Sequence, residues 1–381
     1  MDVALFKNAL GHLELADGFT TFAPSDLPAA VDVNSQLAAL LSQADRNLGE
    51  LCGAANHLPN PRLLATAFAS KEALSSSRIE GTRATLAEVL KAEASPEERR
   101  TRATIEVTNA KQALFHGTDN SNAELIPLLK AMHTKLFEAI PTSGKTGEFR
   151  KIQNFLSATS RVEDAWFVPP APARIPELMT RLAEYVDADN STPVLLKAAL
   201  VHYQFETIHP FLDGNGRIGR ALIPVFLLRK QYVKHPLVFL SEYFEKYRPT
   251  YQERLLHANQ TGDFQKWFEF FLIAVAEQSR ATLARINSIM QIRKDYLELV
   301  KHERAPRAAV LALDELLASP YISTPRLAVA LNVTYPTAER AITYLTNKDM
   351  LVEVTGYRRN RIFAAAKILD AIEPGWNEGA R

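Results

Sequence analysis

The sequence predicts an all-α protein, and three observations carry that expectation. Apolar residues recur three and four apart along most of the chain. Stretches that alternate apolar and polar are few. The 381 residues, 47% hydrophobic and 23% charged, suffice for a sizeable core in roughly two or three domains. A net charge of +1 argues against a protein that coats a polyanion over its whole surface. The single cysteine, Cys52, excludes an intrachain disulfide and a thiolate-rich zinc site and reads as a small buried hydrophobe. Met1 to Asn8 lacks the long apolar core of a signal peptide, and no run approaches the roughly 18 apolar residues of a membrane span; Phe268 to Ala276 is short and interrupted by Glu269. A cytoplasmic protein is expected.

The elements follow in order. Leu63 to Glu80 carries apolar positions at helical spacing (Leu63, Leu64, Ala67, Phe68, Leu74), and Gly81 follows as a stop. Leu125 to Ile140, Ile175 to Val186 and Pro193 to Thr207 read as helices, as do Tyr251 to Asn259, Phe264 to Gln278 and Ala281 to Val300. Ala221 to Leu228 is apolar throughout and reads as a buried helix. The exception in the middle is Ala165-Trp166-Phe167-Val168-Pro169-Pro170, an aromatic, β-branched run closed by two prolines, which reads as a short strand.

Past residue 303 the character changes. His302 to Arg307 makes a polar, proline-containing joint; Ala308 to Leu317, Thr324 to Leu331 and Pro336 to Leu345 read as three short helices. Leu351 to Val354 and Arg361 to Ala364 then flank Thr355 to Asn360 as a hairpin. This order predicts a winged helix-turn-helix with its third helix placed for a major groove. That helix offers only Arg340 as a base-reading cation, so DNA and protein contact, including a second copy of the chain, are both open as partners. The division expected is 1–100 as an N-terminal helical region, 101–280 as the core, 281–305 as a connecting helix and 306–381 as the winged helix.

Chemistry concentrates in Ile208-His209-Pro210-Phe211-Leu212-Asp213-Gly214-Asn215-Gly216-Arg217-Ile218-Gly219-Arg220. Gly214 and Gly216 let backbone N–H groups converge without Cβ obstruction at the start of the helix that follows, where unpaired donors and the positive dipole end bind phosphate. Arg217 and Arg220, three apart, share a face of the first turn and suit the outer phosphates of a nucleotide. Asp213 is an oxygen ligand for Mg²⁺ bridging those phosphates. His209, its approach fixed by Pro210, can take a proton from an incoming hydroxyl. His202 and His209 lie seven apart rather than at the four of a zinc helix, so His202 reads as a satisfied helix-face histidine.

This run resembles the signature of the Fic family, His-Pro-Phe-x-Asp/Glu-Gly-Asn-Gly-Arg-x-x-Arg, and agrees at every fixed position. The resemblance implies an all-α Fic helical core with a small β-hairpin flap, and transfer of AMP from ATP to a Ser, Thr or Tyr hydroxyl of a target protein. It makes His209 the base, Phe211 a core anchor and Asp213 the Mg²⁺ ligand. Gly214, Asn215, Gly216, Arg217, Ile218, Gly219 and Arg220 would form the phosphate nest, with Arg220 on the γ-phosphate.

Ser76-Ser77-Arg78-Ile79-Glu80-Gly81 resembles the family's inhibitory motif, Ser/Thr-x-x-x-Glu-Gly/Asn. Ser76 and Glu80 are four apart on one face, and a glutamate in a last helical turn opposes the dipole. By the resemblance Glu80 pairs with Arg220 and displaces the γ-phosphate. Residues 165–170 would be the flap to which a target's backbone adds as a strand; Trp166 and Phe167 fit a hairpin core equally. Gly147-Glu148-Phe149-Arg150 resembles the family beside it. Tyr251, Leu255 and Asn259, then Thr261-Gly262-Asp263 and Trp267, resemble the segment that approaches the nucleoside, with Gln252 where many relatives have a second tyrosine. A Tyr/Leu stripe at this spacing also fits plain core. Self-modification, removal of AMP at the same site, and a DNA-bound regulator that senses nucleotide are the other readings the sequence leaves.

Overall fold

The computed structural model describes residues 1–6, 10–16, 18–58, 60–94, 100–142, 144–157, 159, 161–302 and 305–376. The expected joint therefore falls partly outside the described residues at 303 and 304, as do residues 7 and 8 of the N-terminal stretch.

The chain opens with an antiparallel hairpin, Gly11–Ala16 (β1) and Phe19–Pro24 (β2), that the sequence reading did not anticipate. Phe22 of β2 is buried with Phe6 and Phe167 in a small satellite core. Helices Ser35–Asn56 (α1) and Pro61–Ile79 (α2) follow, each opened by an asparagine whose side chain accepts a first-turn N–H, from Leu37 and Arg62 respectively. Pro61 at the first position of α2 costs no hydrogen bond there. Leu86–Ala94 (α3), Arg102–Asp119 (α4) and Leu125–Leu136 (α5) complete the N-terminal half. The helix expected to reach Ile140 stops at Leu136, and Ala139 takes a left-handed φ of 58°.

Leu156–Ser157 (β3) and Ala165–Phe167 (β4) pair antiparallel as a short hairpin. Ile175–Asp187 (α6) leads to the two innermost helices, Val194–Ile208 (α7) and Asn215–Arg229 (α8). Both are buried on nearly every side, which explains why apolar residues fill them without a polar stripe. Ser241–Lys246 (α9) and Arg248–Thr261 (α10) precede Gln265–His302 (α11). Thus the two helices expected over 264–300 are one continuous helix. Gln278-Ser279-Arg280 contains no glycine or proline to break it.

The C-terminal part is Arg307–Ala318 (α12), Tyr321–Ser323 (β5), Thr324–Ala330 (α13), Tyr335–Asn347 (α14), Val352–Glu353 (β6), Ile362–Ala364 (β7) and Ala366–Ile372 (α15). Its sheet runs β5-β7-β6, all antiparallel. This part packs back onto the N-terminal half. Helix α12 lies along α2, Ser323 Oγ donates to the Ala94 carbonyl at 2.7 Å, and Lys71 Nζ donates to the Ile372 carbonyl at 3.2 Å. No helix among the described residues is long and apolar enough to cross a membrane. The fold is predominantly helical with small sheets, as the sequence predicts.

Candidate active site

The turn between α7 and α8 carries the motif, and each of its residues has a physical reason to be where it is. His209 caps α7 in a left-handed conformation (φ 50°, ψ 60°), and Gly214 opens α8 at φ 79°, where a Cβ would fall 2.8 Å from Leu136 and 2.9 Å from Phe137. Asn215 closes the loop: its Oδ1 accepts from Phe211 N and its Nδ2 donates to Phe211 O, both at 2.8 Å. The Asn215 side chain is therefore spent on the turn, leaving only its backbone N–H for an anion. Ile218 is wholly buried in the core. Phe211, also wholly buried, stacks on His133 with centroids 4.0 Å apart.

Two residues outside the motif hold this turn. Because His133 Nδ1 accepts from Gly147 N at 2.9 Å, its proton sits on Nε2, which donates to the Asp213 carbonyl at 3.1 Å. Burial lowers its pKa to about 4. Arg150, 4% exposed, donates from Nε to the His209 carbonyl at 2.9 Å and from Nη2 to the Pro170 carbonyl at 2.5 Å, and its N–H reaches the Pro210 carbonyl. One guanidinium thus ties the turn to the end of the 165–170 segment. The Gly147 to Arg150 stretch was visible in the sequence; nothing there signalled His133.

His209 Nδ1 donates to the Glu206 carbonyl at 3.2 Å, which leaves the Nε2 lone pair free. Burial depresses its pKa to about 4, with Arg150 acting in the same direction, so the ring is neutral near pH 7. Arg220, 2% exposed, donates from Nε to Ser76 Oγ and from Nη2 to the Ser76 carbonyl, both at 2.9 Å, and from Nη2 to Glu80 Oε1 at 2.6 Å. Burial alone would raise the Glu80 carboxyl; Arg220, with Arg217 and His209 behind it, more than offsets that and holds it below the usual range. Glu80 Oε1 also lies where a Cβ on Gly216 would be, 2.1 Å away. Ser76 therefore does more than shape the helix that carries Glu80, since it bonds the arginine itself. Arg78, between them on α2, donates from Nε and Nη2 to the Ala84 carbonyl.

Asp213, its side chain 65% exposed, accepts from Gly214 N and lies 3.6 Å from Arg217, whose guanidinium covers the Phe137 ring. Among the described residues no group of three or more His, Cys, Asp or Glu is arranged to hold a metal. A lone exposed carboxylate beside an anion nest nevertheless suits Mg²⁺, which binds proteins through one or two carboxylates and completes its shell with phosphate oxygens and water.

One open cleft of about 700 Å³ is lined by Glu80, His209, Gly216, Arg220, Trp166, Phe167, Tyr251, Leu255 and Asn259, whereas Asp213 and Arg217 are not among its lining residues. Tyr251 is 3% exposed, stacks on Phe244 (4.6 Å, 10°) and donates to His202 Nε2 at 2.8 Å, so it is a core residue with an edge on the cleft. His202 in turn bonds the Gly219 carbonyl at 2.9 Å and is fully buried and satisfied, as expected. Asn259 Oδ1 accepts from both Tyr203 Oη (2.6 Å) and Thr207 Oγ1 (3.0 Å), which fixes its amide. Phe167 is buried in the satellite core, whereas Trp166 is 38% exposed.

A helical core around an anion-nest turn, a short hairpin beside it and an α2 glutamate on the nest arginine define a Fic-type protein. The chain carries both domains of that family: residues 126–227 match the Fic/DOC family model, and 38–119 match the model for the Fic/DOC family N-terminal region. It is similar to proteins named protein adenylyltransferase Fic, with 34% identity over 126 residues in Drosophila grimshawi (32% of this chain, 23% of that protein). The Culex quinquefasciatus protein is 32% identical over 154 residues (40% and 27%), so the chain spans about a quarter of the length of these curated relatives. In fold it resembles a Fic family protein from Desulfovibrio desulfuricans (TM-score 0.57, 20% identity, 89% of this chain and 98% of that one). It also resembles a Fic domain containing signaling protein from Bacteroides thetaiotaomicron (TM-score 0.51, 17% identity, 63% and 95%).

Proposed function

We propose that this protein transfers AMP from ATP to a hydroxyl of a protein target, itself included, and that Glu80 holds it inactive. The observation that carries this is the ion pair of Glu80 with Arg220 directly over Gly216, in the nest that receives phosphates on the family reading. The backbone N–H groups at the start of α8 and the Arg217 and Arg220 guanidiniums bind and orient the triphosphate, so that catalysis is chiefly positioning and charge stabilisation. His209, neutral and with Nε2 free, takes the proton of the incoming hydroxyl as its oxygen bonds the α-phosphorus and the bond from that phosphorus to the α,β-bridging oxygen breaks, releasing pyrophosphate. Asp213 would hold Mg²⁺, which neutralises phosphate charge when bound. Tyr251, Leu255 and Asn259 would wall the nucleoside, and a target's backbone would lie along the 165–170 segment.

The C-terminal elements support a winged helix-turn-helix, with α14 as third helix and exposed Arg358 and Arg359 on the wing. Such a domain would bring DNA, a protein partner or a second copy of the chain. A cytoplasmic setting, where ATP and Mg²⁺ meet protein targets, fits this chemistry. Label from α-³²P-ATP, and not from γ-³²P-ATP, should appear on protein. Release of AMP from a pre-modified target without any such labelling would favour AMP removal instead, and labelling from neither would leave a nucleotide-sensing role.

A further inference from the structure

Glu206 is a partly buried acid that the signature does not contain and the chemistry above does not use. It sits one turn before His209 on α7 and lines the same cleft. Its Oε1 is shielded from solvent and has no hydrogen-bond partner, although a buried acceptor left unpaired is costly and uncommon. The carboxylate rests against Gly219, where a Cβ would come within 2.2 Å of Oε1. Gly219 occupies one of the two variable positions of the signature, between Arg217 and Arg220. The acid and the glycine beneath it thus form a pair of their own, an acceptor and the space it needs.

Its place in the cleft narrows what it accepts. On the nucleotide reading above, Arg220 holds phosphate and Tyr251 walls the nucleoside, and both line the cleft with Glu206. In a nucleotide the part between phosphates and base is the sugar. We propose that Glu206, seated over Gly219, is a ribose subsite that hydrogen-bonds a sugar hydroxyl and so selects ribonucleotides over deoxynucleotides; this rests on the nucleotide-binding reading above. A hydroxyl both donates and accepts, so it satisfies the carboxyl whether ionised or protonated. That matters here, because burial, opposed by Arg220 and aided by Glu80, raises the Glu206 pKa to about 7.

The test uses the full chain with Glu80→Gly, so that the cleft is open to nucleotide. Affinities are measured for ATP, 2′-deoxyATP, 3′-deoxyATP and inorganic tripolyphosphate. The parent should prefer ATP over at least one deoxy analogue by roughly tenfold or more, the size of one hydrogen bond to a charged group. Glu206→Leu should bind ATP and that analogue equally, keep its tripolyphosphate affinity, and melt at a higher temperature without nucleotide because an unpaired buried acid is gone. Glu206→Gln, which keeps an acceptor, should restore most of the preference. A preference undiminished in Glu206→Leu overturns the subsite, as does joint loss of ATP and tripolyphosphate binding with a lower melting temperature, which would mark a structural acid. A parent that binds none of the four ligands overturns the nucleotide reading itself, and the subsite with it.

Discussion

The Glu80 carboxylate meets the Arg220 guanidinium at 2.6 Å, with Oε1 2.1 Å from where a Cβ on Gly216 would stand. On the function proposed above, the carboxylate fills the space a phosphate oxygen would need and takes the charge that would hold it. On that proposal the helix end and the phosphate compete for the position, and the balance between them sets activity.

Glu80→Gly should raise transfer by at least roughly tenfold, the factor that about 1.4 kcal/mol provides. Self-modification of the purified protein at saturating ATP measures it. Adding Arg220→Ala should return activity to or below the starting level, since the gain requires a released arginine. Unchanged transfer in Glu80→Gly with ATP still bound would refute inhibition by Glu80.

Ser76→Ala removes the acceptor for Arg220 Nε but leaves the Ser76 carbonyl and Glu80 in place. A net hydrogen bond to a charged group is worth about 1.5–3 kcal/mol, and here it favours the closed arrangement. The expected result is activation smaller than that of Glu80→Gly, together with a lower melting temperature.

His209→Ala should abolish transfer and spare ATP affinity, because the ring acts on the hydroxyl and not on the phosphates. The depressed pKa gives a second readout. Activity requires the neutral ring, so in the Glu80→Gly protein kcat/KM should hold as pH falls through 6.5 and decline only toward about 4. An acid limb centred near 6.5 that His209 alone explains would contradict the burial argument.

Asp213→Ala should lose Mg²⁺-dependent ATP affinity and activity together, with Mg²⁺-free affinity little changed. Titration of ATP with and without Mg²⁺ checks this; equal affinities in the parent protein would remove Asp213 from the metal's shell.

Lys71→Met tests the support of α2 from outside. Lys71 bonds the Ile372 carbonyl and pairs with Glu242 at 2.8 Å, joining α2 to α15 and α9, while Arg285 keeps Glu242 paired in its absence. A loosened α2 presents Glu80 less firmly, so transfer should rise a few-fold and the melting temperature fall. An unchanged rate would mean that α2 is held by its apolar packing alone.

Much of the site was legible because many of its residues lie in one uninterrupted turn. The Ser76 and Glu80 pair was legible from helical spacing, but the bond from Ser76 to Arg220 was not, since it joins residues 144 apart. The hairpin at 11–24 escaped because Phe22 is buried by Phe6 and Phe167, a tertiary contact that local alternation does not display. His133 escaped for the same reason: an isolated histidine on α5 gains its meaning only from Gly147, Asp213 and Phe211. Glu206 escaped as well, because its unpaired oxygen is a property of the folded cleft.

Arg150 has a consequence for how this protein can change. Its Nε and Nη2 bond the carbonyls of His209 and Pro170, so the residue proposed as proton acceptor and the border of the proposed target-binding edge share one anchor. Two loops fixed to a single rigid fork move as one body. A lysine there, a point charge without that fork, would hold one carbonyl at a time. On the proposed reading, differences in target choice would then arise in the exposed parts of the hairpin, such as Trp166, without disturbing the anchor beneath it.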